Sequence, residues 1–406
     1  MPSVRFRSPL RGPWLTSVFA AALLVGMPIL LVTGLLDRVA YGPGQGLPGE
    51  VGLLQLPPFD WPSSPSWLFR LTQGVHVGLG IALVPVVLAK LWSVIPKLFA
   101  WPPVRSPAHA LERATLLLLV GSTLFEIATG LLNIQYDYVF GFSFYTGHYL
   151  GAWVFAAAFA AHVALKLGTM LRALRSRSLR SELATPLAAT VPEPVDETGL
   201  VAPDPAPPTM SRRGALALVG GGSALLVALS VGQVLDGPAR ASALLLPRGR
   251  TTGDGGPNAF PVNRTAAAAG VAPTAEWRLA LSGATPRTFT MAELAALPQH
   301  TARLPIACVE GWSTVQTWTG VRLRDLAALA GVPRPASAFV ASLEDGPFAR
   351  STLTSGQVLD PDALLALRVN GAELSLDHGF PARIVVPALP GVRCTKWVRS
   401  IEFREA

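Results

Sequence analysis

Charge is scarce in this chain. Asp, Glu, Lys and Arg make up 14% of its 406 residues, against about 25% in soluble domains. Half of the residues are hydrophobic, so a protein built only of water-soluble domains is excluded and part of the chain belongs in a bilayer. Cysteine is scarcer still. Cys308 and Cys394 are the two, which excludes a disulfide-stapled scaffold and leaves at most one bridge. Acidic residues are outnumbered, 25 against 33 Lys and Arg, for a net charge of +8. A basic balance can point to nucleic acid. Here many basic residues flank apolar runs and none form an aromatic-interleaved groove, so no nucleic-acid partner is expected. No convincing internal repeat stands out.

The apolar residues gather in runs at about Trp14 to Leu36, Gly74 to Ile95, Ala114 to Leu132 and Tyr149 to Leu171. Each is near the ~20 residues that cross hydrocarbon. Arg5, Arg7 and Arg11 precede the first; Lys90, Lys97, Arg105 and Arg113 lie between the second and third; Arg172, Arg175, Arg177 and Arg180 follow the fourth. The positive-inside rule puts these segments in the cytoplasm. The first run leads into a multi-span region, so it does not read as a cleaved secretory signal. Residues 176–210 form a Pro- and Ala-rich segment that reads as a semi-extended cytoplasmic linker. Ser211-Arg212-Arg213 then opens a Gly-rich apolar run to about Val234. It resembles an internal twin-arginine export signal, although two arginines also suit a plain positive-inside flank. A cleavage site around Ala239-Arg240-Ala241 is faint, and an anchor is expected instead. The pattern predicts an all-α transmembrane four-helix bundle over 1–175, the linker over 176–210, a fifth anchoring span over 211–236 and an α+β domain over 237–406. Membrane lipid is the surrounding partner, and the last domain is expected on the extracytoplasmic side of a bacterial cell membrane. In that domain 277–281 and 384–386 read as strands, and 290–296 and 321–330 as short helices.

Histidine in a span is costly and is usually functional. His76, His148 and His162 lie in or beside spans. His148 and His162 are fourteen residues apart, which places them on one helix face roughly 21 Å apart along the axis. His76, near the outer end of the second span, matches His148; Lys90, not a histidine, faces His162. This placement resembles bacterial di-haem b-type cytochrome subunits. The resemblance implies haem b between His76 and His148, with His162 as a further haem-binding candidate that lacks a histidine partner. Interhelical hydrogen bonding or a quinone site is the other reading of these histidines. His109 and His300 are expected to be solvated.

Cys308 opens Cys308-Val309-Glu310-Gly311-Trp312-Ser313 after the apolar run Leu304-Pro305-Ile306-Ala307, and Trp318-Thr319-Gly320-Val321 and a Leu-rich helix follow. A lone thiol between a strand and a Gly-Trp turn suits a thiolate presented to a metal; a buried small hydrophobe or a bridge to Cys394 are the alternatives. Three further segments stand in order. They are Asn258-Ala259-Phe260-Pro261-Val262-Asn263-Arg264-Thr265, His378-Gly379-Phe380-Pro381-Ala382-Arg383, and Gly391-Val392-Arg393-Cys394-Thr395-Lys396-Trp397-Val398. Together these stretches resemble the sulfite oxidase superfamily, most of all the catalytic subunits of the periplasmic methionine sulfoxide reductases.

The resemblance implies Mo-molybdopterin with Cys308 as the molybdenum ligand. It also implies pterin contacts from Asn258, Asn263, Arg264, His378 and Arg383, and a phosphate met by Thr395 and Lys396. Family sulfite oxidases carry a basic cluster after the ligand cysteine; here Val309, Glu310 and Gly311 stand there, and an acidic neighbour disfavours a dianion. The expected protein is a membrane-anchored molybdopterin oxidoreductase. It would exchange electrons between a quinone or other membrane donor, haem b and a sulfoxide-like substrate. A sulfite-type oxidase, or a domain that kept the fold and lost the metal, are the rival readings.

Overall fold

With no water to hydrogen-bond the backbone, an apolar run in a bilayer must close its own hydrogen bonds, and a helix does so within one segment. The computed structural model describes residues 6–42, 50–51, 54–55, 59–99, 104, 106–133, 142, 144–245, 256–272, 276–346 and 348–405. Its long helices are α1 Pro13–Tyr41, α2 Leu68–Leu98, α3 Pro107–Asn133 and α4 Phe144–Ser176, with a ribbon of β1 Glu50–Val51 and β2 Leu54–Gln55 between the first two. α5 Leu179–Ala184 and α6 Arg212–Ala228 follow. Among the described residues five helical stretches are long and apolar enough to cross a membrane: α1, α2, His109–Leu132 of α3, α4, and Arg212–Val234, which extends α6.

Residue contacts divide the chain into two units, Met1–Val32 with Gly78–Ala228, and Thr33–Val77 with Leu229–Ala406. In the first unit, one buried cluster joins Met27 of α1, Leu83 and Val87 of α2 and Phe155 of α4, with Leu119 and Ile127 of α3 against it. Val25, Leu88, Leu117, Val154 and Leu218 are exposed, as on helices whose surroundings are apolar.

The stretch after α4 is not semi-extended throughout but ordered against the start of α1. The Glu193 carboxylate accepts from the Trp14 N–H at 3.0 Å, which satisfies an orphan donor of that helix's first turn, and Arg7 pairs with Asp204 at 3.0 Å. Glu182 of α5 meets Arg177 at 2.7 Å and Arg212 at 3.2 Å. Arg212 is therefore buried, while Arg213 is exposed.

The second unit carries the α+β domain: α7 Ala266–Ala269, β3 Arg278–Ser282, β4 Arg287–Thr290, α8 Met291–Ala296, β5 His300–Ala307, β6 Ser313–Arg322, α9 Leu323–Leu329, β7 Ser337–Ser342, β8 Arg350–Thr354, α10 Ser355–Leu359, β9 Leu364–Val369, β10 Ala372–Glu373, β11 Arg383–Val385 and β12 Val398–Arg404. One sheet runs β10–β9–β6–β5 with β11 also on β9; the other runs β4–β3–β12–β7–β8. β12 pairs with β3 in parallel; the remaining described pairs are antiparallel. The expected strands and helices appear as β3, β11, α8 and α9, within the usual latitude at element ends. Local chemistry explains them. β3 alternates exposed and buried residues, and α8 begins at a capping box of Thr290 and Glu293, which satisfies two orphan donors. His300, expected to be solvated, is half-buried and partnered: it lies between Asp362 Oδ1 at 2.8 Å and Arg322 Nη2 at 2.8 Å.

β6 and β9 approach so closely that a Cβ at Gly320 would lie 2.0 Å from the Leu365 carbonyl oxygen. That oxygen belongs to a strand buried on both faces and has nowhere to go. Gly320→Ala is expected to destabilise the protein by about 3 kcal/mol, read as a lower thermal midpoint; an unchanged midpoint would mean that the strands can part there.

The segment between α1 and α2 is bound into this unit. Trp61 Nε1 donates to the Ala388 carbonyl at 2.7 Å, and Gln357 Nε2 donates to the Trp61 carbonyl at 2.9 Å. Arg240 is buried and donates to the Ser313 and Gln233 carbonyls.

Candidate active site

β5 runs in register with β6 as far as the pair Ala307 and Ser313, and the chain reverses between them. The Cys308 N–H donates to the Trp312 carbonyl at 2.8 Å, and the Gly311 N–H donates to the Cys308 carbonyl at 3.0 Å. Gly311 has φ +94°, a conformation open to glycine and strained for other residues. The turn fixes Cys308, which is 2% exposed. Glu310 in the same turn is buried and accepts from Trp312 Nε1 at 3.1 Å. Neither cysteine is in a disulfide, so the bridge read as an alternative is not formed.

The three other segments meet beside this turn. Gly391 donates its N–H to the Ala307 carbonyl at 2.7 Å, which ties the third segment to the residue before Cys308. Lys396 Nζ donates to Asn263 Oδ1 at 3.3 Å, to the Arg264 carbonyl at 2.5 Å and to the Asp377 carbonyl at 3.0 Å. One ammonium therefore gathers all three segments. Arg383 is buried, donates to the Cys394 carbonyl at 3.2 Å and the His378 carbonyl at 3.3 Å, and lies over the Trp318 ring. His378 stacks on Phe260 with centroids 3.6 Å apart and shares a hydrogen bond of 2.9 Å with the Asn258 carbonyl.

The family profile described as oxidoreductase molybdopterin binding domain matches residues 266–406. An uncharacterized oxidoreductase, YuiH, of Bacillus subtilis is 33% identical over 147 residues, which are 36% of this chain and 73% of that protein. The chain belongs to this molybdopterin-binding family. A nitrate reductase [NADH] of Volvox carteri is 34% identical over 33% of this chain and 19% of its own length. A sulfite oxidase of Arabidopsis thaliana is 29% identical over 29% of this chain and 38% of its own. The chain thus spans well under half the length of these two larger relatives. Among solved structures, the sulfane dehydrogenase SoxCD from Paracoccus pantotrophus aligns with 26% identity over 34% of this chain and 40% of that one, at a TM-score of 0.31. The C-terminal domain is that of a molybdenum-dependent oxidoreductase.

The residues of the molybdopterin-binding domain fit its cofactor. Cations drawn out of water are costly unless an anion meets them; Arg383 is buried and Lys396 half-buried. Among the described residues neither Arg383 nor Lys396 has a carboxylate within ion-pair distance. Burial holds Arg383 down at about 10, still charged at neutral pH. Burial, with the neighbouring Arg383 charge, brings Lys396 down to about 7. The same two causes take His378 down to about 3, so its imidazole is neutral, and burial raises the Cys394 thiol. Thr395 Oγ1 is buried without a hydrogen-bond partner among the described residues. Positive charge and an orphaned hydroxyl on adjacent residues are what a phosphate satisfies.

Several of the expected contacts also hold the protein's own segments together. The Asn258 amide is committed to the Glu373 carbonyl at 2.9 Å and the Ser375 N–H at 2.8 Å, so it braces the second segment. Asn263 Oδ1 accepts from its neighbour Arg264 N–H as well as from Lys396. Arg264 pairs with Glu344 at 3.3 Å and donates to the Ala268 carbonyl. Reading the sequence alone passed over Phe260 and Trp318, which back His378 and Arg383, and Arg393, which is buried and donates to the Ala40 and Thr352 carbonyls. Their signal lay in aromatic and basic residues inside or beside the quoted motifs.

The span histidines fall in both units and are described unit by unit. In the second, Thr33 Oγ1 and His76 Nδ1 share a hydrogen bond of 3.3 Å, and a Cβ at Gly34 would lie 2.8 Å from His76 Cε1. In the first, Thr129 Oγ1 and His148 Nδ1 share one of 3.0 Å, and a Cβ at Gly130 would lie 3.4 Å from His148 Cε1. Glu126 Oε2 is also 3.1 Å from His148 Nδ1. Thr33-Gly34-Leu35-Leu36 and Thr129-Gly130-Leu131-Leu132 are thus matching four-residue stretches, each serving the histidine of the next helix. His162 lines a cavity of about 480 Å³ in the first unit, together with Lys90, Glu112, Lys166 and Phe159.

Proposed function

We propose that this chain is a membrane-anchored reductase of sulfoxide-type substrates. It would draw electrons from a quinone or other membrane donor through haem b held by His76 and His148 in a four-helix bundle, and deliver them to molybdenum at Cys308 outside the cytoplasm of a bacterial cell. The observation that carries the reading is the meeting of Asn263, Arg264, Asp377 and Lys396 in one hydrogen-bonded knot beside the Cys308 turn. Bound there, the cofactor supplies two-electron oxygen-atom transfer.

The protein's own residues supply the rest. The closed turn aims the Cys308 sulfur. Arg383, Lys396 and Thr395 would hold the pterin phosphate. His378, neutral and stacked on Phe260, offers a hydrogen-bonding edge without adding charge. Glu310 keeps a carboxylate in the ligand turn, which favours a neutral oxide over a dianion such as sulfite. The duplicated Thr-Gly pair supports two equivalent imidazole ligands, because a hydrogen bond at Nδ1 leaves Nε2 as the ligating nitrogen and fixes the ring. Arg212 and Arg213 would serve export of a folded, cofactor-loaded domain.

A sulfite-type oxidase is the second reading, favoured by the sulfite oxidases among the relatives. A domain that lost its metal finds no support, since Cys308, Arg383 and Lys396 all stand in place.

Metal analysis and a visible spectrum of the detergent-solubilised protein test the reading. One molybdenum per chain, a b-type spectrum and turnover with methionine sulfoxide in preference to sulfite are expected. Preference for sulfite would reverse the direction, and absence of haem would remove the electron path. His76→Ala is expected to abolish most of the Soret absorbance while molybdenum content stays; an unchanged spectrum would exclude the His76 and His148 pair.

A further inference from the structure

α2 joins the candidate haem ligand to the molybdenum-ligand turn, and the joining contacts lie within one unit. Gln73, one helical turn before His76, is buried and donates from Nε2 to the Val309 carbonyl at 2.8 Å. Val309 is the residue after Cys308. Val77, the residue after His76, meets the same turn: a Cβ at Gly311 would lie 2.9 Å from Val77 Cγ1 and 3.2 Å from Gln233 Nε2. Residues three and four apart share a helix face, so Gln73, His76 and Val77 present one side of α2. An amide on a flank of an apolar span is costly unless it is hydrogen-bonded, and the partner this amide takes is the peptide beside the ligand cysteine.

The helix is further held at this end. Thr72 Oγ1 donates to Asp37 Oδ1 at 2.5 Å, and Arg70 Nη2 donates to the Val234 carbonyl at 2.5 Å. A connected route from His76 to Cys308 therefore runs through about one helical turn of backbone, roughly 4.5 Å of rise, the Gln73 side chain, one hydrogen bond and the Val309 peptide.

We propose that Gln73 is a positioning residue for electron exchange, and that the α2–Gln73–Val309 link is the route by which the haem and molybdenum sites communicate. This rests on the reading above that His76 ligates haem. Over one turnover a hydroquinone gives up two electrons and two protons, and a sulfoxide takes up the same number to leave a sulfide and water. The link carries the electrons one at a time and moves no atoms. Gln73 touches neither substrate nor cofactor; it acts by holding the two elements in register.

The test uses the full chain with both cofactors. Dithionite-reduced protein is mixed with methionine sulfoxide, and haem reoxidation is followed at the Soret band. Turnover of the molybdenum site with reduced methyl viologen and the Mo(V) electron paramagnetic resonance signal are measured in parallel. Gln73→Leu, similar in volume but without a donor, is expected to slow haem reoxidation by about tenfold or more, with viologen-driven turnover and the Mo(V) signal unchanged. If Gln73→Leu does not assemble, Gln73→Asn, whose amide is too short to reach Val309, carries the same expectation. Unslowed reoxidation in an assembled variant overturns the proposal. So does a parallel fall in viologen turnover with a shifted Mo(V) signal, which would mean that Gln73 merely shapes the ligand turn. Failure of the sulfoxide to reoxidise wild-type haem overturns the functional reading itself, and this proposal with it.

Discussion

Cys308→Ser is expected to lower turnover by about a thousandfold or more and to leave the b-type spectrum of the proposed haem unchanged. The size follows from ligand chemistry. A thiolate is a soft, anionic ligand, whereas serine keeps its proton at neutral pH and offers a hard, neutral oxygen. The fold tolerates the change, because the turn is held by its backbone, through the Cys308 N–H to Trp312 and the Gly311 N–H to Cys308, and serine makes both bonds. The variant should therefore express, insert and keep a normal melting profile. Measuring molybdenum, turnover and the visible spectrum on one preparation checks it. Retained turnover would show that Cys308 is a buried small hydrophobe and not a ligand; loss of the haem spectrum as well would show that the two sites do not assemble independently.

The second large effect concerns Lys396 and has opposite signs with and without cofactor. Burial holds its ammonium down at about 7 instead of 10.5. Between those values the unfolded chain binds the proton and the folded one does not, so apo stability rises with pH from about 7 to about 10.5. The swing is of order a few kcal/mol. A bound phosphate restores the charge and flattens the slope. Lys396→Met removes the titrating group and leaves a flexible apolar stem in its place. The apo protein is then expected to lose that pH slope and, near pH 7, to melt no lower than wild type, since removing a partly desolvated charge that lacks a carboxylate partner among the described residues is often neutral or stabilising. Molybdenum retention falls about 10- to 100-fold. Thermal midpoints across pH, with and without cofactor loading, read both. A variant that melts lower in the apo form would mean that the bonds from Lys396 to Asn263, Arg264 and Asp377 outweigh its desolvation.

The legible and illegible parts of this molecule differ in kind. The long spans, the strand before Cys308 and the capping box at Thr290 announce themselves through local pattern. Among the site residues, Cys308, His378, Arg383 and Lys396 stand in short motifs whose order along the chain is itself informative. Asn258 was recognisable as part of its motif but not as a brace, because whether an amide faces a cofactor or the backbone at Glu373 and Ser375 depends on strands more than 100 residues away. The partners of His300 were hidden for the same reason, since Arg322 ends β6 and Asp362 lies in the turn before β9. The matching Thr-Gly-Leu-Leu stretches were present in the letters, yet four residues in an apolar run say little until each threonine is seen against a histidine.

Composition and periodicity by themselves determined that this chain carries helices long and apolar enough to cross a membrane and that an α+β domain follows them; the resemblance of an ordered set of motifs, not periodicity, pointed to molybdopterin. These follow from interactions between near neighbours and from the solvent each residue requires. Tertiary structure alone decided that Lys396 knots three distant segments, that Arg383 is buried with no carboxylate at ion-pair distance among the described residues, and that Gln73 of α2 grips the peptide beside Cys308. Such facts depend on which distant groups the fold desolvates together, and desolvation is a property of the assembled volume that no local stretch of sequence contains.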